Sequence, residues 1–333
     1  MLALNKTCYL RLFFSYEYDT ISPINTHKLT KGDALRMLEF RPLELADQSA
    51  MEKYLQAMTL KSCDSDFSNI FIWRYYYNYY VHSCDRFTII RAGHPGEYNF
   101  LKPFGLDDPT ECYEQLIAYC AQQNQPLTFD LVEHPFLNYV PAKFHNHLEI
   151  TDIRHAYDYI YSREHLAELK GGSFSRKRNH IKQFTSAYDY TFSQLTTQDL
   201  PEVIVLTEQW LAELGIDTDA YYKGEGLALQ EFCRHFDAIH GLGACLRVKG
   251  KMIAFTAGTP HHPGSDTFIT HFEKALRQYE GAYAAINKFF AQELLGEFSW
   301  INREDDMGLA SLRKAKESYF PDELLPKCTI QFI

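Results

Sequence analysis

The sequence lacks several features that would assign it to a membrane, secreted or metal-binding class. It has no apolar run of the roughly 20 residues that a membrane-spanning helix needs. Its eight cysteines form no Cys-x-x-Cys pair and show no metal-ligand spacing, so we predict free thiols in a reducing cytoplasm and no metal site. An excess of positive charge is also missing. The net charge of −10 argues against a general nucleic-acid coat or a uniformly membrane-adhering surface.

The N-terminal residues 1–36 show no convincing targeting segment. Residues 8–14 are too short and too weakly apolar for a signal peptide, and no small-residue cleavage site follows them. The apolar residues at 37–43 predict the first strand. We therefore expect residues 1–36 to be a peripheral extension, with the first domain beginning near Met37.

The composition predicts a globular protein with two domains. The chain has 333 residues, of which 46% are hydrophobic and 15% aromatic, enough for sizeable cores.

The aromatic run at 71–80 predicts a helix packed between the halves; a stacking platform for nucleic-acid bases is the alternative. The elements predicted in residues 37–155 are a strand at 37–43, helices at 47–58 and 67–80, strands at 87–92 and 98–103, a helix at 109–123, a strand at 127–132 and a helix near 135–146.

The C-terminal half is organised around residues 266–320. An apolar run at 267–272 predicts a strand, which is followed by a loop with Gly281 and a helix with apolar residues at three–four spacing. A second strand at 298–302 ends in an acidic turn, residues 303–306, and a further helix at 309–319 is stopped by Pro321. This order predicts a ligand-binding unit, because the loop directs N–H groups at an anion and the strand ends hold polar side chains beside it.

The surrounding elements resemble the GNAT acyltransferase fold. Helices at 198–214 and 225–240, a hairpin with its turn at 249–251 and a C-terminal strand at 328–333 complete the GNAT order. The pyrophosphate signature of that fold is (Q/R)xxGx(G/A). This chain offers the glycine loop Gln278-Tyr279-Glu280-Gly281-Ala282-Tyr283, with Tyr283 where Gly or Ala is usual.

The resemblance implies that Gln278, Gly281, Ala282 and Tyr283 bind an anion. Because Gly281 is expected to open the helix, we expect Gly281→Val to block close approach of the anion with little disturbance of the fold.

The N-terminal element order loosely repeats that of the C-terminal half. No residue-level repeat is visible, so the duplication is inferred from element order alone. We predict an α+β protein with two GNAT-like domains in tandem, at 37–155 and 156–333, each a mixed sheet flanked by helices. The active site is expected in the second domain.

The basic segment, residues 170–182, carries five Lys and Arg residues and no acidic one. One interpretation is an ordinary solvated helix face. The other is a phosphate-binding surface formed by Arg176, Lys177, Arg178 and Asn179, with tRNA or anionic phospholipid as the partner.

The same segment carries a second resemblance. The pattern Gly-x-x-Phe-x-x-Lys-Arg-Asn-x-x-x-x-Phe, from Gly171 to Phe184, is similar to a soluble bacterial family related to the C-terminal catalytic domain of phosphatidylglycerol lysyltransferases. The stretches 302–308 and 312–316, followed by Pro321, resemble the same family. This resemblance implies a Fem-type tandem fold and transfer of an aminoacyl group from aminoacyl-tRNA. Lys316 matches the lysine of a short Phe-Lys-x-x-Phe-like segment, with Ala315 in place of the aromatic residue.

Acyl transfer needs a proton acceptor for the nucleophile and positive charge at the developing oxyanion. His271 and Glu273 lie two apart on one strand and are expected on one face. Glu304 and Asp305 follow the neighbouring strand, where a carboxylate serves as base or binds the ammonium of an aminoacyl donor. For the acidic turn the alternative is a helix N-cap.

Arg313 and Lys316 are three apart on the predicted helix, so they share one face. They are expected to face the donor's carbonyl oxygen or a phosphate. Ordinary surface charge is the alternative for both side chains.

Two function classes follow. The first is an acyl- or aminoacyltransferase that moves a group from aminoacyl-tRNA or acyl-coenzyme A to an amine or a lipid hydroxyl, with no tightly bound cofactor. The second is a non-catalytic GNAT-like protein that binds a phosphate-containing ligand.

Overall fold

The computed structural model describes residues 38–55, 61–105 and 108–333. The predicted extension at 1–36 and the predicted domain start at Met37 lie outside these ranges. No helix within them is long and apolar enough to cross a membrane. The helices are α1 Gln48–Leu55, α2 Phe67–Trp73, α3 Thr110–Gln122, α4 Arg163–Glu168, α5 Ser175–Ala187, α6 Leu200–Leu214, α7 Thr218–Tyr221, α8 Glu225–His235, α9 Ala282–Glu293 and α10 Ala310–Glu317. The strands are β1 Arg41–Pro42, β2 Tyr80–Ser83, β3 Phe87–His94, β4 Glu97–Phe100, β5 Phe104–Gly105, β6 Thr128–Glu133, β7 Leu148–Asp152, β8 Asp158–Ser162, β9 Tyr190–Gln194, β10 Leu242–Val248, β11 Lys251–Pro260, β12 Thr267–Ala275, β13 Trp300–Asn302, β14 Glu323–Leu325 and β15 Lys327–Phe332.

The strands form two mixed sheets. The first sheet has the order β1-β2-β3-β4-β6-β15-β7, with β5 paired to β3. The second sheet has the order β14-β8-β13-β12-β11-β10-β9. Only β4–β6 and β12–β13 pair in parallel among the described strands. Strand β15 therefore belongs to the first sheet, although the sequence groups it with the C-terminal domain at 156–333.

One hydrophobic core is shared by the two halves. It joins buried residues of α2 to those of α6, α8 and one face of β10–β12, for example Phe71, Phe232 and Phe272. A second core lies on the other face of the second sheet against α4, α5 and α9. A third packs α3 against the first sheet, including its strand β15. Helix α2 is thus packed between the halves, as the aromatic run predicts.

A buried charge network also joins the halves. The Lys327 ammonium at the start of β15 donates to Asp158 Oδ1 at 2.6 Å and to Asp64. Asp158 Oδ2 accepts from the Cys63 N–H and from Asn302 Nδ2, each at 2.9 Å. The Lys327 and Asp158 side chains are both 0% exposed. Burial lowers the pKa of Lys327, but Asp158 and Asp64 outweigh it and hold that pKa well above its ordinary value.

Local sequence explains several element ends. Asp66 caps α2 by accepting from the Asn69 N–H at 2.8 Å. Lys249 and Gly250 both have positive φ, 51° and 77°, as a two-residue hairpin turn between β10 and β11 requires. Helix α6 ends at Gly215, whose φ is 65°.

Two predicted helices differ from the structure. The helix predicted at 67–80 ends at Trp73, because the chain turns and Tyr80 begins β2. The helix predicted near 135–146 is instead two short 3-10 helices, His134–Tyr139 and Ala142–His147. Pro141 separates them, since it lacks a backbone N–H and disfavours a helical conformation in the residue before it.

Candidate functional site

The candidate site lies where two parallel strands separate. Strands β12 and β13 pair only over 267–269 and 300–302. Beyond these residues β12 continues beside β11, whereas the chain after β13 enters the acidic turn. The Arg303 N–H donates to the Tyr159 carbonyl at 2.9 Å, and the Glu304 carbonyl accepts from the Tyr159 N–H at 3.1 Å, so β8 holds the turn on its other side.

Glu304 occupies a strained position in this turn. Its φ is 56°, in the left-handed region that few non-glycine residues adopt. The Glu304 N–H donates to Asn302 Oδ1 at 2.6 Å, which helps to hold the conformation. The acidic turn is therefore a fixed element that directs the Glu304 side chain towards β12.

A chain of hydrogen bonds runs from Glu304 into the core. Glu304 Oε1 lies 2.8 Å from His271 Nδ1, and His271 Nε2 lies 2.9 Å from Thr259 Oγ1. Thr259 Oγ1 donates to Asp66 Oδ2 at 3.4 Å. The His271 side chain is 1% exposed and that of Glu304 is 22% exposed. Glu304 is therefore the member of this chain that a substrate can reach.

Lys316 reaches the same turn from the last turn of α10. Its ammonium donates to the backbone carbonyls of Arg303 and Asp305, and the residue is 7% exposed. An ammonium has three N–H donors, so two are used by these carbonyls. Burial holds the pKa of Lys316 below its ordinary value, although Asp305 and Glu304 act in the opposite direction.

Asp305 and Arg313 are the other two charged residues predicted near Lys316, and their surroundings differ from that prediction. Burial raises the pKa of Asp305 to about 7, with Lys316 acting in the opposite direction. Arg313 binds Asp306 through two hydrogen bonds, Nε to Oδ2 at 2.8 Å and Nη2 to Oδ1 at 2.9 Å. The prediction that Arg313 faces a donor therefore differs from the structure, because Asp306 holds its guanidinium.

Asp306 is a buried anchor and does not cap α10. Besides Arg313, its carboxylate accepts from the Tyr159 hydroxyl at 2.7 Å and from Arg154 at 3.1 Å. Burial raises its pKa, but these hydrogen bonds and the Gly308 N–H outweigh burial and lower the pKa to about 2. The N-cap residue of α10 is Leu309.

His271 and Glu273 lie on opposite faces of the second sheet, contrary to the prediction from strand alternation. The pairing of β11 with β12 shifts by one residue between Ala257 and Gly258, which places an extra residue in β12 at His271. His271 contacts the Phe232 ring of α8, whereas Glu273 accepts from Asn287 of α9. The β-bulge thus separates two side chains that a regular strand would place together.

On the α9 face, Glu273 accepts from Arg303 Nη2 at 2.8 Å and from Asn287 Nδ2 at 3.1 Å. Tyr161 donates its hydroxyl hydrogen to the Lys316 carbonyl at 2.8 Å nearby. Glu273 is therefore close in sequence to His271 but belongs to a second polar cluster.

The basic segment does not form one phosphate-binding surface. Lys177 turns inward, and its Nζ lies 3.7 Å from the ring centroid of Tyr319. Arg178 Nη1 donates to the carbonyls of Leu169 and Gly171, which fixes the end of α4. Arg176 and Asn179 are exposed, as are Lys170 and Lys182 at the two ends of the segment.

The glycine loop is held by local contacts. Tyr283 is 38% exposed, and its hydroxyl accepts from Trp210 Nε1 at 2.8 Å. The Ala282 N–H donates to the Tyr279 carbonyl at 3.1 Å. Gln278 is exposed, and its carbonyl accepts from the Tyr188 hydroxyl at 3.3 Å.

Gly281 is required for the contact between α5 and α9. Its φ is 87°, and a Cβ there would lie 2.2 Å from the His180 carbonyl oxygen. The expectation that Gly281→Val disturbs the fold little is therefore wrong, because backbone would have to move.

We predict that Gly281→Ala lowers the free energy of unfolding by about 1–3 kcal/mol, from strain and overpacking. Urea denaturation measures it. Gly296→Ala is the matched control, since no atom lies within 4 Å of a Cβ at that position. Equal denaturation midpoints for both variants would contradict this role of Gly281.

Sequence reasoning missed Arg303 and Asn287 as candidate site residues. Asn287 is a single polar residue on the buried face of α9, between Ala284 and Ala291 at helical spacing. That isolated polar residue on an apolar stripe is a signal that could have identified it. Thr259 and Asp66 gave no comparable signal, because they contact His271 only through tertiary packing.

A possible metal-ligand group lies beneath the site. Single ligand atoms of Cys63, Asp64 and Asp158 all lie within 4.8 Å of one another. The Lys327 ammonium already donates to both Asp64 and Asp158. The trio therefore works as part of the contact between the two halves.

Comparison with known proteins gives a consistent result. Residues 56–330 match the family model described as phosphatidylglycerol lysyltransferase, C-terminal. A conserved protein of unknown function from Bacteroides thetaiotaomicron VPI-5482 is 32% identical, with a TM-score of 0.83 over 89% of this chain and 100% of that chain. No curated protein matches.

Two more distant structures share the fold. L-PGS from Bacillus licheniformis is 16% identical, with a TM-score of 0.58 over 86% of this chain and 91% of that chain. FemX is 7% identical, with a TM-score of 0.54 over 87% of this chain and 97% of that chain. These likenesses confirm the predicted α+β class with two GNAT-like units in tandem.

Proposed function

The chain belongs to the phosphatidylglycerol lysyltransferase C-terminal family, and from this premise we propose that it transfers an aminoacyl group to an amine or a lipid hydroxyl. The proposal rests on one observation: the acidic turn brings together a buried ammonium and a histidine–carboxylate pair. The buried Lys316 ammonium binds the carbonyls of the acidic turn, and the His271–Glu304 pair starts from the same turn.

The proposed roles follow from exposure and charge. Glu304 is the base that takes the proton from the acceptor, since it is more exposed than His271. His271 is a positioning residue, because it touches Glu304 and Thr259 inside the core. Lys316 stabilises the oxyanion with the N–H that the two carbonyls leave unused. Asp305 is the candidate for binding the donor's ammonium.

The step conserves atoms and charge. The acceptor nitrogen or oxygen forms a bond to the ester carbonyl carbon as its proton moves to Glu304. The carbonyl oxygen then carries the negative charge beside Lys316 until the ester C–O bond breaks. The proton on Glu304 passes to the departing ribose oxygen, which restores the carboxylate.

Aminoacyl-tRNA is the proposed donor in preference to acyl-coenzyme A. Tyr283 occupies the loop position that a pyrophosphate-binding GNAT keeps small, and its hydroxyl is held by Trp210. The Ala282 N–H is bonded to the Tyr279 carbonyl, so it is not free to bind a pyrophosphate. These contacts support a donor that does not depend on the glycine loop.

Donor choice tests the proposal. Labelled aminoacyl-tRNA and labelled acyl-coenzyme A are incubated separately with the protein and a pool of amines, peptides and lipids, and label entering the pool is followed. We expect label only from aminoacyl-tRNA. Transfer from acyl-coenzyme A alone would contradict the proposed donor, and transfer from neither would contradict the proposed function.

We predict that Glu304→Gln lowers kcat by about 10²–10⁴-fold and removes the acid limb of the pH–rate profile, since the amide cannot accept the proton. Exposed Glu297 supplies the control, Glu297→Gln, which should leave both kcat and the profile unchanged. An acid limb that persists in Glu304→Gln would assign the base to another group, with Asp305 next to be tested.

A further inference from the structure

Asp66 is a buried carboxylate whose role as a helix cap does not require a charge. It is 2% exposed, and its Oδ2 accepts from the Asn69 N–H at the start of α2. Asn, Asp and Ser cap helices about equally well, so the cap alone does not explain an acidic side chain. A buried carboxylate is costly unless a positive charge faces it. Asp66 therefore needs a counter-charge.

No Lys or Arg supplies that counter-charge within the part of the chain that the structure describes. Asp158, by comparison, is paired with the Lys327 ammonium. The group that faces Asp66 is His271, whose Nε2 lies 3.9 Å from Asp66 Oδ2, and both side chains are almost fully buried. An imidazolium at His271 would supply the missing positive charge.

The hydrogen bonds around His271 lead to the same assignment. Glu304 Oε1 lies 2.8 Å from His271 Nδ1, and a carboxylate only accepts, so Nδ1 carries a hydrogen. On the other side of the ring, Thr259 Oγ1 lies 2.9 Å from Nε2 and 3.4 Å from Asp66 Oδ2. Thr259 has one hydroxyl hydrogen. When Asp66 accepts that hydrogen, Nε2 must donate to Oγ1, and both ring nitrogens carry a hydrogen.

We propose that Asp66 is a positioning residue for the reaction: acting through Thr259, it keeps His271 in the imidazolium form. The charge-assisted hydrogen bond from His271 Nδ1 then holds Glu304 in place and favours its carboxylate form. Glu304 thus enters the reaction ready to accept a proton. Because Asp66 belongs to the first half of the chain and Glu304 to the second, the candidate site is incomplete without the first half.

The surroundings of His271 contain few other groups that could charge it. The Phe232 ring of α8 and the Thr259 hydroxyl of β11 pack against the imidazole, and neither carries a charge. The charge nearest beyond Glu304 is the Lys316 ammonium of α10, which disfavours a second positive charge. The two carboxylates at either end of the hydrogen-bonded chain are therefore the groups that favour the imidazolium.

The role of Asp66 in turnover rests on the proposed function, whereas the hydrogens on the His271 ring can be observed without any transfer reaction. ¹⁵N NMR of the ring observes them, and His271→Gln identifies the signals. Burial raises the pKa of Asp66 to about 7, with His271 acting in the opposite direction, so the spectra are recorded at about pH 8, where Asp66 is ionised. We expect hydrogens on both ring nitrogens of the wild type.

Asp66→Asn separates this role from capping. The amide keeps the cap of α2 and removes the charge, so a purely structural Asp66 predicts the wild-type spectrum. We expect a hydrogen on Nδ1 alone, because the Thr259 hydroxyl is then free to donate to Nε2. Asp66→Ser, which also caps a helix, should give the same result. A bare Nε2 in the wild type, or two ring hydrogens in both variants, would overturn the proposal.

Asp217→Asn is the matched control. Asp217 is an exposed cap that accepts from the N–H groups of Asp219 and Ala220 at the start of α7. The same exchange at this second cap should leave the His271 spectrum unchanged. A change equal to that of Asp66→Asn would contradict a local action of Asp66 on the ring.

The pH–rate profile tests the link from Asp66 to Glu304. Loss of the imidazolium removes a charge that favours ionised Glu304, so the acid limb of Asp66→Asn should move to higher pH by about one unit. On that limb kcat should be about tenfold lower, with KM nearly unchanged, and Asp217→Asn should match the wild type. An unmoved acid limb in Asp66→Asn would overturn its role in the reaction. A wild type that transfers nothing would contradict the proposed function, and the NMR spectra would still decide the state of His271.

Discussion

Lys316→Ala is expected to lower kcat on the order of a hundredfold or more, with little change in donor affinity. The reason is that a positive charge beside the carbonyl oxygen matters most when that oxygen becomes an oxyanion. Single-turnover kinetics with labelled aminoacyl-tRNA measure the transfer step, and equilibrium titration measures donor affinity.

The contacts of Lys316 in the structure determine which control this experiment needs. Lys316 binds the carbonyls of Arg303 and Asp305, so its removal could loosen the acidic turn. Lys314→Ala, an exposed change on the same helix, controls for a loss of helix charge and should leave kcat unchanged. A Lys316→Ala protein that transfers normally but binds the donor weakly would make Lys316 a donor anchor, and it would contradict the oxyanion role.

Lys327→Met is expected to lower the free energy of unfolding by about 3–5 kcal/mol. The change leaves Asp158 and Asp64 as carboxylates in the buried contact between the halves without their ammonium. The effect exceeds that of most single substitutions because an unpaired buried charge is costly. Urea denaturation measures it, and exposed Lys182→Met should change the value by no more than about 0.5 kcal/mol.

A double-mutant cycle distinguishes loss of the pair from loss of packing. Lys327→Met combined with Asp158→Asn should be less destabilised than the sum of the two single variants, because the second change removes one uncompensated charge. Additive effects would contradict the assignment of Lys327 as the counter-charge of Asp158.

Sequence periodicity predicted the elements whose signals are local. The hairpin turn at Lys249 and Gly250, helix α9 and the acidic turn after β13 all follow from patterns within a few residues. The placement of Lys316 beside Glu304 also follows from the order strand, turn, helix. These features depend on contacts between neighbours in the sequence.

Other features depend on distant contacts and gave no local signal. The β-bulge at His271 is one extra residue in an otherwise regular apolar strand, and it reverses the faces of His271 and Glu273. The inward turn of Lys177 depends on Tyr319, which lies far away in the sequence. The pairing of β15 with β6 and β7 likewise joins segments that lie far apart in the sequence.

Mass spectrometry of the acceptor after reaction with aminoacyl-tRNA tests the central claim most directly. Purified protein, aminoacyl-tRNA and a pool of bacterial amines, peptides and lipids are incubated, and masses that increase by one aminoacyl residue are identified. The account predicts such a product with the wild-type protein and its loss in Lys316→Ala. A product that forms equally with both proteins, or no product with any acceptor, would contradict it.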